Sequence, residues 1–267
     1  MTTVRPEQPT PDYVPGHGLL RDKVVVVTAA AGAGIGAAVV RRALEEDARV
    51  VVLSDTHERR VGEAHESLAA EFGADRGVST LTDVTDAAQV EALLDLADQH
   101  GGVDVMVNNA GLGGTANVLE MTDEQWGTVL DITLSGTFRC VRAAGNRMIA
   151  NGTRGVIVNN ASVIGWRAQE GQAHYAAAKA GVMALTRSAA MDLAPHGIRV
   201  NAVSPSLAMH PFLEKVTSPE LLEELKGREA FGRAAEPWEV ANVMVFLASD
   251  YSSYLTGEVI SVSSQHA

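Results

Sequence analysis

Tyr175 and Lys179 stand four residues apart in HYAAAK (174–179), which puts both side chains on one face of any helix that contains them. A phenol with an ordinary pKa near 10 carries protons poorly at neutral pH. A cation one turn away favours the phenolate and brings that pKa towards the working range. Ser162, thirteen residues before Tyr175, adds a hydroxyl that can donate to a substrate oxygen. Such a trio suits proton transfer at an alcohol or ketone oxygen. A Tyr/Lys pair at this spacing also occurs on surface helices with no chemistry, so the pair alone decides nothing.

A second constellation lies near the start of the chain. AAAGAGIG (29–36) falls between an apolar run and a helix-like stretch. Glycines there let the backbone approach a pyrophosphate, whose charge then faces the amides and positive end of the helix. Gly32, Gly34, Ile35 and Gly36 are therefore predicted cofactor contacts. Asp55 ends the next strand, near the ~20-residue offset of a carboxylate that grips ribose hydroxyls. It is also placed to cap the following helix, and both roles can hold. A carboxylate there accepts from a free 2′-hydroxyl and repels a 2′-phosphate. Ala33 supplies no basic group for that phosphate, and Arg59 and Arg60 are expected on the solvated helix face. NAD is favoured over NADP. Asp83 and Val84 are expected to meet the adenine. Asn109, Ala110 and Gly111 are expected to let the cofactor pass over the sheet edge.

These residues need a scaffold, and the alternation of the chain supplies one. KVVVVT (23–28), ARVVVLSD (48–55), GVSTLTDV (77–84), VDVMVNNAG (103–111), GVIVNNAS (155–162), IRVNAVSP (198–205) and GEVISVSS (257–264) read as strands. Those between 23 and 205 alternate with helical stretches, among them 35–46, a charged helix through Ala70, and 90–99. Strands apolar on both faces mean a parallel sheet covered on both sides, with right-handed crossovers. The predicted fold class is α/β, a single Rossmann-type doubly wound parallel sheet of about seven strands. Residues 1–20 hold four of the nine prolines and read as an extended arm; residues 21–267 read as one catalytic domain. Within it, 208–233, with Pro211, Pro219 and a Glu/Leu-rich helix, reads as a lid insertion.

Composition excludes several function classes. A formal net charge of −12 without a basic cluster argues against nucleic acid. No stretch approaches the ~20 apolar residues of a membrane span. The first residues carry no apolar run, so no secretory signal is expected, and the cytoplasm is the expected compartment. The single cysteine, Cys140, excludes an intramolecular disulfide and a cysteine-cluster metal site, and no metal is predicted.

Taken in order, the GIG turn (34–36), Asp83, NNAG (108–111), Ser162, YxxxK (175–179) and the run from Asn201 to Pro205 resemble the short-chain dehydrogenase/reductase family. The resemblance covers roughly residues 20–267. It implies Tyr175 as general acid/base, Lys179 as the group that lowers its pKa and binds the nicotinamide ribose, and Ser162 as the group that orients the carbonyl. It also implies that residues from Pro205 onward, Ala208 among them, cover the nicotinamide. The sequence departs from the family in several places. Ala29-Ala30 replaces the usual Thr-Gly, and Thr133 in DITLSG replaces the Asn of a proton relay. A threonine hydroxyl can still hold a water, so Thr133 stays a candidate with that role in question. Ser206 follows Pro205 where glycine is usual, His210 stands where threonine is common, and Ser263-Ser264 replaces a C-terminal Gly-Gly.

NNASVIGWRAQ (159–169), HYAAAKAGVMALTR (174–187) and FGRAAEPWEVA (231–241) resemble an actinobacterial steroid-degradation subgroup. That implies a hydroxy-methylindanone propanoate, or its coenzyme-A ester, as substrate. Ser162, Ile164, Trp166, Gln172 and His210 are the candidate substrate contacts; Trp166 serves equally well as packing. His174 points ~100° away from Tyr175 on a helix and is expected to pack. A homotetramer is expected by resemblance, paired through helices near 123–150 and 173–194, where Ala176, Ala177, Ala178 and Ala180 allow close approach. The rival enzyme reading is a reductase of 3-oxoacyl chains on acyl carrier protein or coenzyme A, disfavoured by Asp55. A rival of another class is a nucleotide sensor that kept the fold and lost the chemistry.

Overall fold

Strands with no polar face must be covered on both sides, and the alternating valines of the first strand show how. In the computed structural model, which describes residues 8–209, 213 and 218–265, Val25 and Val27 join the core under one helical layer, while Val24 and Val26 join the core under the other. All four are buried.

Seven parallel strands form one sheet in the order β3-β2-β1-β4-β5-β6-β7. They are β1 (Val24–Val27), β2 (Val50–Asp55), β3 (Gly77–Leu81), β4 (Val105–Asn108), β5 (Val156–Asn160), β6 (Arg199–Pro205) and β7 (Val259–Val262). The helices are α1 (Ile35–Glu45), α2 (Glu58–Phe72), α3 (Ala87–Asp98), α4 (Asp123–Leu130), α5 (Gly136–Asn151), α6 (Ala173–Leu193), α7 (Pro219–Arg228) and α8 (Pro237–Ala248). A short π-helical segment, Asp131–Ser135, joins α4 to α5. Helices α1, α2 and α8 cover one face, and α3, α5 and α6 cover the other. Strand order reverses between β1 and β4, so a crevice opens outside their carboxyl ends, the usual ligand position in such sheets.

Four helix starts, those of α3, α4, α7 and α8, are closed by side chains. Asp86 accepts from the Ala88 and Gln89 amides at α3, and Thr122 with Gln125 forms a capping box at α4. Glu236 and Glu239 form the equivalent box before Pro237 at α8. The start of α1 differs: Gly34 makes no side-chain cap, and the first turn holds no acidic residue.

The chain from Gln8 to Gly18 runs without regular structure along α1 and α8. Tyr13 meets Trp238 edge-on at 5.3 Å and lies under the Arg42 guanidinium at 5.5 Å. Glu46, buried, accepts from the His17 and Leu19 amides and pairs with Arg42 at 2.5 Å. Of the expected lid, α7 is described; His210 and Pro211 lie outside the described residues. Among the described residues, no helix is long and apolar enough to cross a membrane.

Candidate active site

Three loops converge at the crevice because β1, β4 and β5 lie side by side. The chain leaves β1 at Thr28, whose hydroxyl accepts from the Asn109 and Ala110 amides across the strand ends. The Asn109 side chain donates to the Thr28 and Ala29 carbonyls and accepts from Asn160 at 2.9 Å. Its amide group is thus a clamp between β1, β4 and β5.

The turn from Ala29 to Gly34 fits a dinucleotide. The α1 amides are uncapped, and Gly32 opens onto free space with no atom within 4 Å of where a Cβ would stand. Gly36 is needed for packing: a Cβ there would lie 2.5 Å from the Ala29 carbonyl oxygen and from the Asn109 amide nitrogen. Ile35 packs its half-buried side chain onto the core beneath.

Asp55 ends β2 beside this turn and is buried, accepting from the Ala31 amide at 3.4 Å and the His57 amide at 3.2 Å. The N-cap position of α2 belongs to His57, so the expected cap by Asp55 does not form. Arg60 also departs from expectation. Its guanidinium folds back from the first turn of α2 onto Asp55 at 3.2 Å, whereas Arg59 reaches outward to Glu63. Asp83 turns its carboxylate to the Thr85 amide and hydroxyl at 2.9 and 2.7 Å. The Val84 side chain is buried, and Gly136 on α5 approaches it so closely that a Cβ there would meet Val84 Cγ2 at 2.6 Å.

Ser162 follows β5, with its hydroxyl oxygen accepting from the Ile164 amide at 3.3 Å. Ser162 also hydrogen-bonds the Tyr175 phenol in the sense that favours the phenolate. Tyr175 and Lys179 project from the first turns of α6, with the Lys179 ammonium 5.6 Å from the Tyr175 ring centre. Lys179 is buried and donates to the Asn160 carbonyl at 2.5 Å. A Cβ on Gly111 would come within 3.3 Å of Lys179 Nζ, so this glycine admits the ammonium to the end of β4. Burial pushes the Lys179 pKa down to about 8. Burial also raises the Tyr175 pKa, offset only in part by the Ser162 hydrogen bond. That outcome differs from the expectation that Lys179 lowers it, because in this arrangement desolvation outweighs the hydrogen bond.

Thr133 is fully buried in the π-helical segment. Its hydroxyl donates to the Leu112 carbonyl and accepts from the Leu112 amide at 3.2 and 3.0 Å, so it pins the loop after β4. Pro205 ends β6 and is buried. Ala208 forms a parallel bridge with Ala235 beyond it. Trp166 is half exposed at the end of a short 3₁₀ turn after Ser162, with Ile164 inside that turn and Gln172 at the start of α6.

Two cavities adjoin the site. One of about 260 Å³ lies between Leu112–Thr115, α4 and His174, with Gly113 against the Tyr175 ring. His174 is buried, as its expected packing role requires, and also lines this cavity. A larger one of about 450 Å³ runs from the glycine turn along α1, α2 and Trp238, and none of Ser162, Tyr175 or Lys179 borders it.

Sequence reading passed over the chain Asn108–Asn159–Thr186, buried beneath the site with bonds of 2.8 and 2.9 Å. The signal was present: asparagines inside strands otherwise apolar on both faces must be paired when buried.

The chain belongs to the short-chain dehydrogenase/reductase family, whose members work with nicotinamide cofactors. Residues 29–264 match the family model described as enoyl-(acyl carrier protein) reductase. More narrowly, the chain is similar to (5R,7aS)-5-hydroxy-7a-methyl-1-oxo-2,3,5,6,7,7a-hexahydro-1H-indene-carboxyl-CoA reductase of Mycobacterium tuberculosis, 61% identical over 96% of this chain and 97% of the relative. It is 35% identical to a 3-oxoacyl-(acyl-carrier-protein) reductase of Staphylococcus aureus, over 90% of this chain and 96% of that one. A short chain dehydrogenase from Mycobacterium smegmatis has a crystal structure that superposes with a TM-score of 0.86, 53% identical, over 97% of this chain and 99% of the other.

Proposed function

We propose that this chain is an NAD(H)-dependent oxidoreductase that interconverts a ketone and a secondary alcohol on a methylindanone-type bicyclic coenzyme-A thioester. The observation that carries the reading is the convergence of Ser162, Tyr175 and Lys179 beside the crevice where β1 and β4 part. A nicotinamide bound there supplies or accepts the hydride at the carbinol carbon. Ser162, whose hydroxyl pairs with Tyr175, can turn its proton to a bound carbonyl oxygen and orient it. Tyr175, its pKa raised, holds its proton at neutral pH and gives it to that oxygen as charge develops. Lys179, anchored by the Asn160 carbonyl, keeps a positive charge near the phenol and would hold the ribose hydroxyls of the bound cofactor.

Asp55 supports NAD: a buried carboxylate beside the glycine turn accepts from a 2′-hydroxyl and repels a 2′-phosphate. Its pairing with Arg60 gives that cation a carboxylate partner in place of a phosphate. Likeness to the mycobacterial reductase supports the bicyclic substrate and favours the thioester over the free propanoate. Residues 21–267 act as the catalytic unit, and the cytoplasm and a homotetramer remain part of the proposal.

The test titrates NADH and NADPH separately and then offers the bicyclic keto thioester, its free acid and acetoacetyl-coenzyme A. NADH preference with turnover of the bicyclic thioester is the expected result. NADPH preference with turnover of acetoacetyl-coenzyme A alone would transfer the protein to the 3-oxoacyl reductases. Tight NADH binding with no turnover of any of them would favour the sensor reading.

A further inference from the structure

Glu229, just past the end of α7, is 1% exposed, and its carboxylate is held by hydrogen bonds. A carboxylate removed from water is costly unless donors replace the lost hydration. Here three do. Oε1 accepts from the Gln265 side-chain amide at 2.9 Å and from the Leu207 amide at 3.3 Å, and Oε2 accepts from the Ser264 hydroxyl at 2.8 Å. The donors come from two separate stretches of chain: the segment that leaves β6 and the segment that leaves β7.

The backbone reinforces the join. The Ala230 amide donates to the Ser264 carbonyl at 2.7 Å, and the Ser206 amide donates to the Val262 carbonyl at 3.2 Å. Glu229 and Gln265 form an antiparallel bridge. The side-chain amide oxygen of Gln265 in turn accepts from the Arg167 guanidinium, next to Trp166 in the loop after Ser162. One buried carboxylate thus ties the segment expected to cover the nicotinamide, 206–209, to the loop expected to flank the substrate, 163–172, through the C-terminal tail. Ser263-Ser264, which replaces the family's Gly-Gly, also gains a use: glycine at 264 could not offer the hydroxyl.

We propose that Glu229 is a positioning residue, which holds the walls of the substrate cleft in register through Ser264 and Gln265 and so sets the affinity for substrate. This rests on the reading of Ser162, Tyr175 and Lys179 as the reaction centre. The geometry separates position from charge. In Glu229→Gln, an amide oxygen can take both Oε1 donors, and the Ser264 hydroxyl can turn to accept from the new amide. In Glu229→Ala, all three donors lose their partner. Gln265→Leu cuts the link to Arg167 while leaving the carboxylate two donors.

The experiment measures KM, kcat and the pH profile for the bicyclic keto thioester, with acetoacetyl-coenzyme A as a second substrate, in these three variants and in Tyr175→Phe. For Glu229→Ala we expect KM to rise about tenfold or more while kcat stays within about twofold and the pH profile is unmoved. Gln265→Leu should raise KM by a smaller factor, and Glu229→Gln should stay near wild type. The proposal is overturned by unchanged KM in Glu229→Ala and Gln265→Leu, or by a loss of kcat shared by Glu229→Ala and Glu229→Gln, which would make the charge itself the active element. If Glu229→Ala does not fold, Gln265→Leu and Glu229→Gln decide by the same criteria. Full turnover in Tyr175→Phe would instead sink the reaction-centre reading, a result the clasp variants cannot mimic.

Discussion

Ala29 holds a left-handed backbone, φ 51°, where a Cβ costs about 1–2 kcal/mol. Its carbonyl also faces Gly36, with no room between them for a side chain. Ala29→Gly should therefore stabilise the protein by up to about 1 kcal/mol in urea unfolding, after the added freedom of the unfolded chain is discounted. Gly36→Ala should cost about 1–3 kcal/mol and weaken NADH binding, since the carbonyl and the Asn109 clamp must both shift. At Asp55, removal of the carboxylate frees Arg60. Asp55→Ser should lose NADH affinity about tenfold or more and gain NADPH affinity in a fluorescence titration. Unchanged preference would show that Asp55 does not meet the ribose. The pH profile follows from the same side chains. With its pKa raised, Tyr175 stays a proton donor through neutral pH, and Lys179 loses its charge above about 8. The reductive rate should be flat through neutrality and fall on the alkaline side. A reductive rate that climbs above pH 8 would contradict this assignment.

Elements decide how firmly these side chains are held. Asn108, on β4, and Asn159, on β5, stand opposite one another in register and pass their hydrogen bonds to Thr186 on α6, the helix that carries Tyr175. Asn159→Ala should cost about 2–3 kcal/mol, because it leaves buried partners unpaired; a urea midpoint close to wild type would show that the chain is dispensable. The strands were legible because valine runs with two apolar faces have few alternatives. The ends of β2 and β6 at Asp55 and Pro205 were read correctly, but those of β1, β3, β4, β5 and β7 were read one to three residues too long, since residues such as Asn109 to Gly111 and Ser162 leave the ladder. The side chains of Ser162, Tyr175 and Lys179 were legible from type and spacing. Three features were not. Arg60 folds onto Asp55 by a rotamer choice that periodicity does not encode. Thr133 spends its hydroxyl on a loop far away in sequence. Glu229 reads as a solvated charge at a helix end until the C-terminal tail is laid against it.

Across the whole molecule, one reversal of strand order gathers the turn after β1, the loop after β4 and the Ser162 loop at one crevice. The surface bears on assembly. Trp126 on α4, Phe138 on α5 and Met191 on α6 are 40%, 44% and 74% exposed, on the helices through which tetramer pairing is proposed. Light scattering should give four times the 28.1 kDa chain mass, and Phe138→Glu should shift it to a smaller species. A monomer at all concentrations would remove the tetramer. The central claim is that Tyr175 hands a proton to the substrate oxygen, and rapid mixing of NADH-saturated Tyr175→Phe with the bicyclic keto thioester tests it most directly. The account predicts NADH binding within a few-fold of wild type and a hydride-transfer rate lower by about 10²–10⁴, the usual worth of a general acid. A rate within about tenfold of wild type, with NADH bound normally, would contradict it.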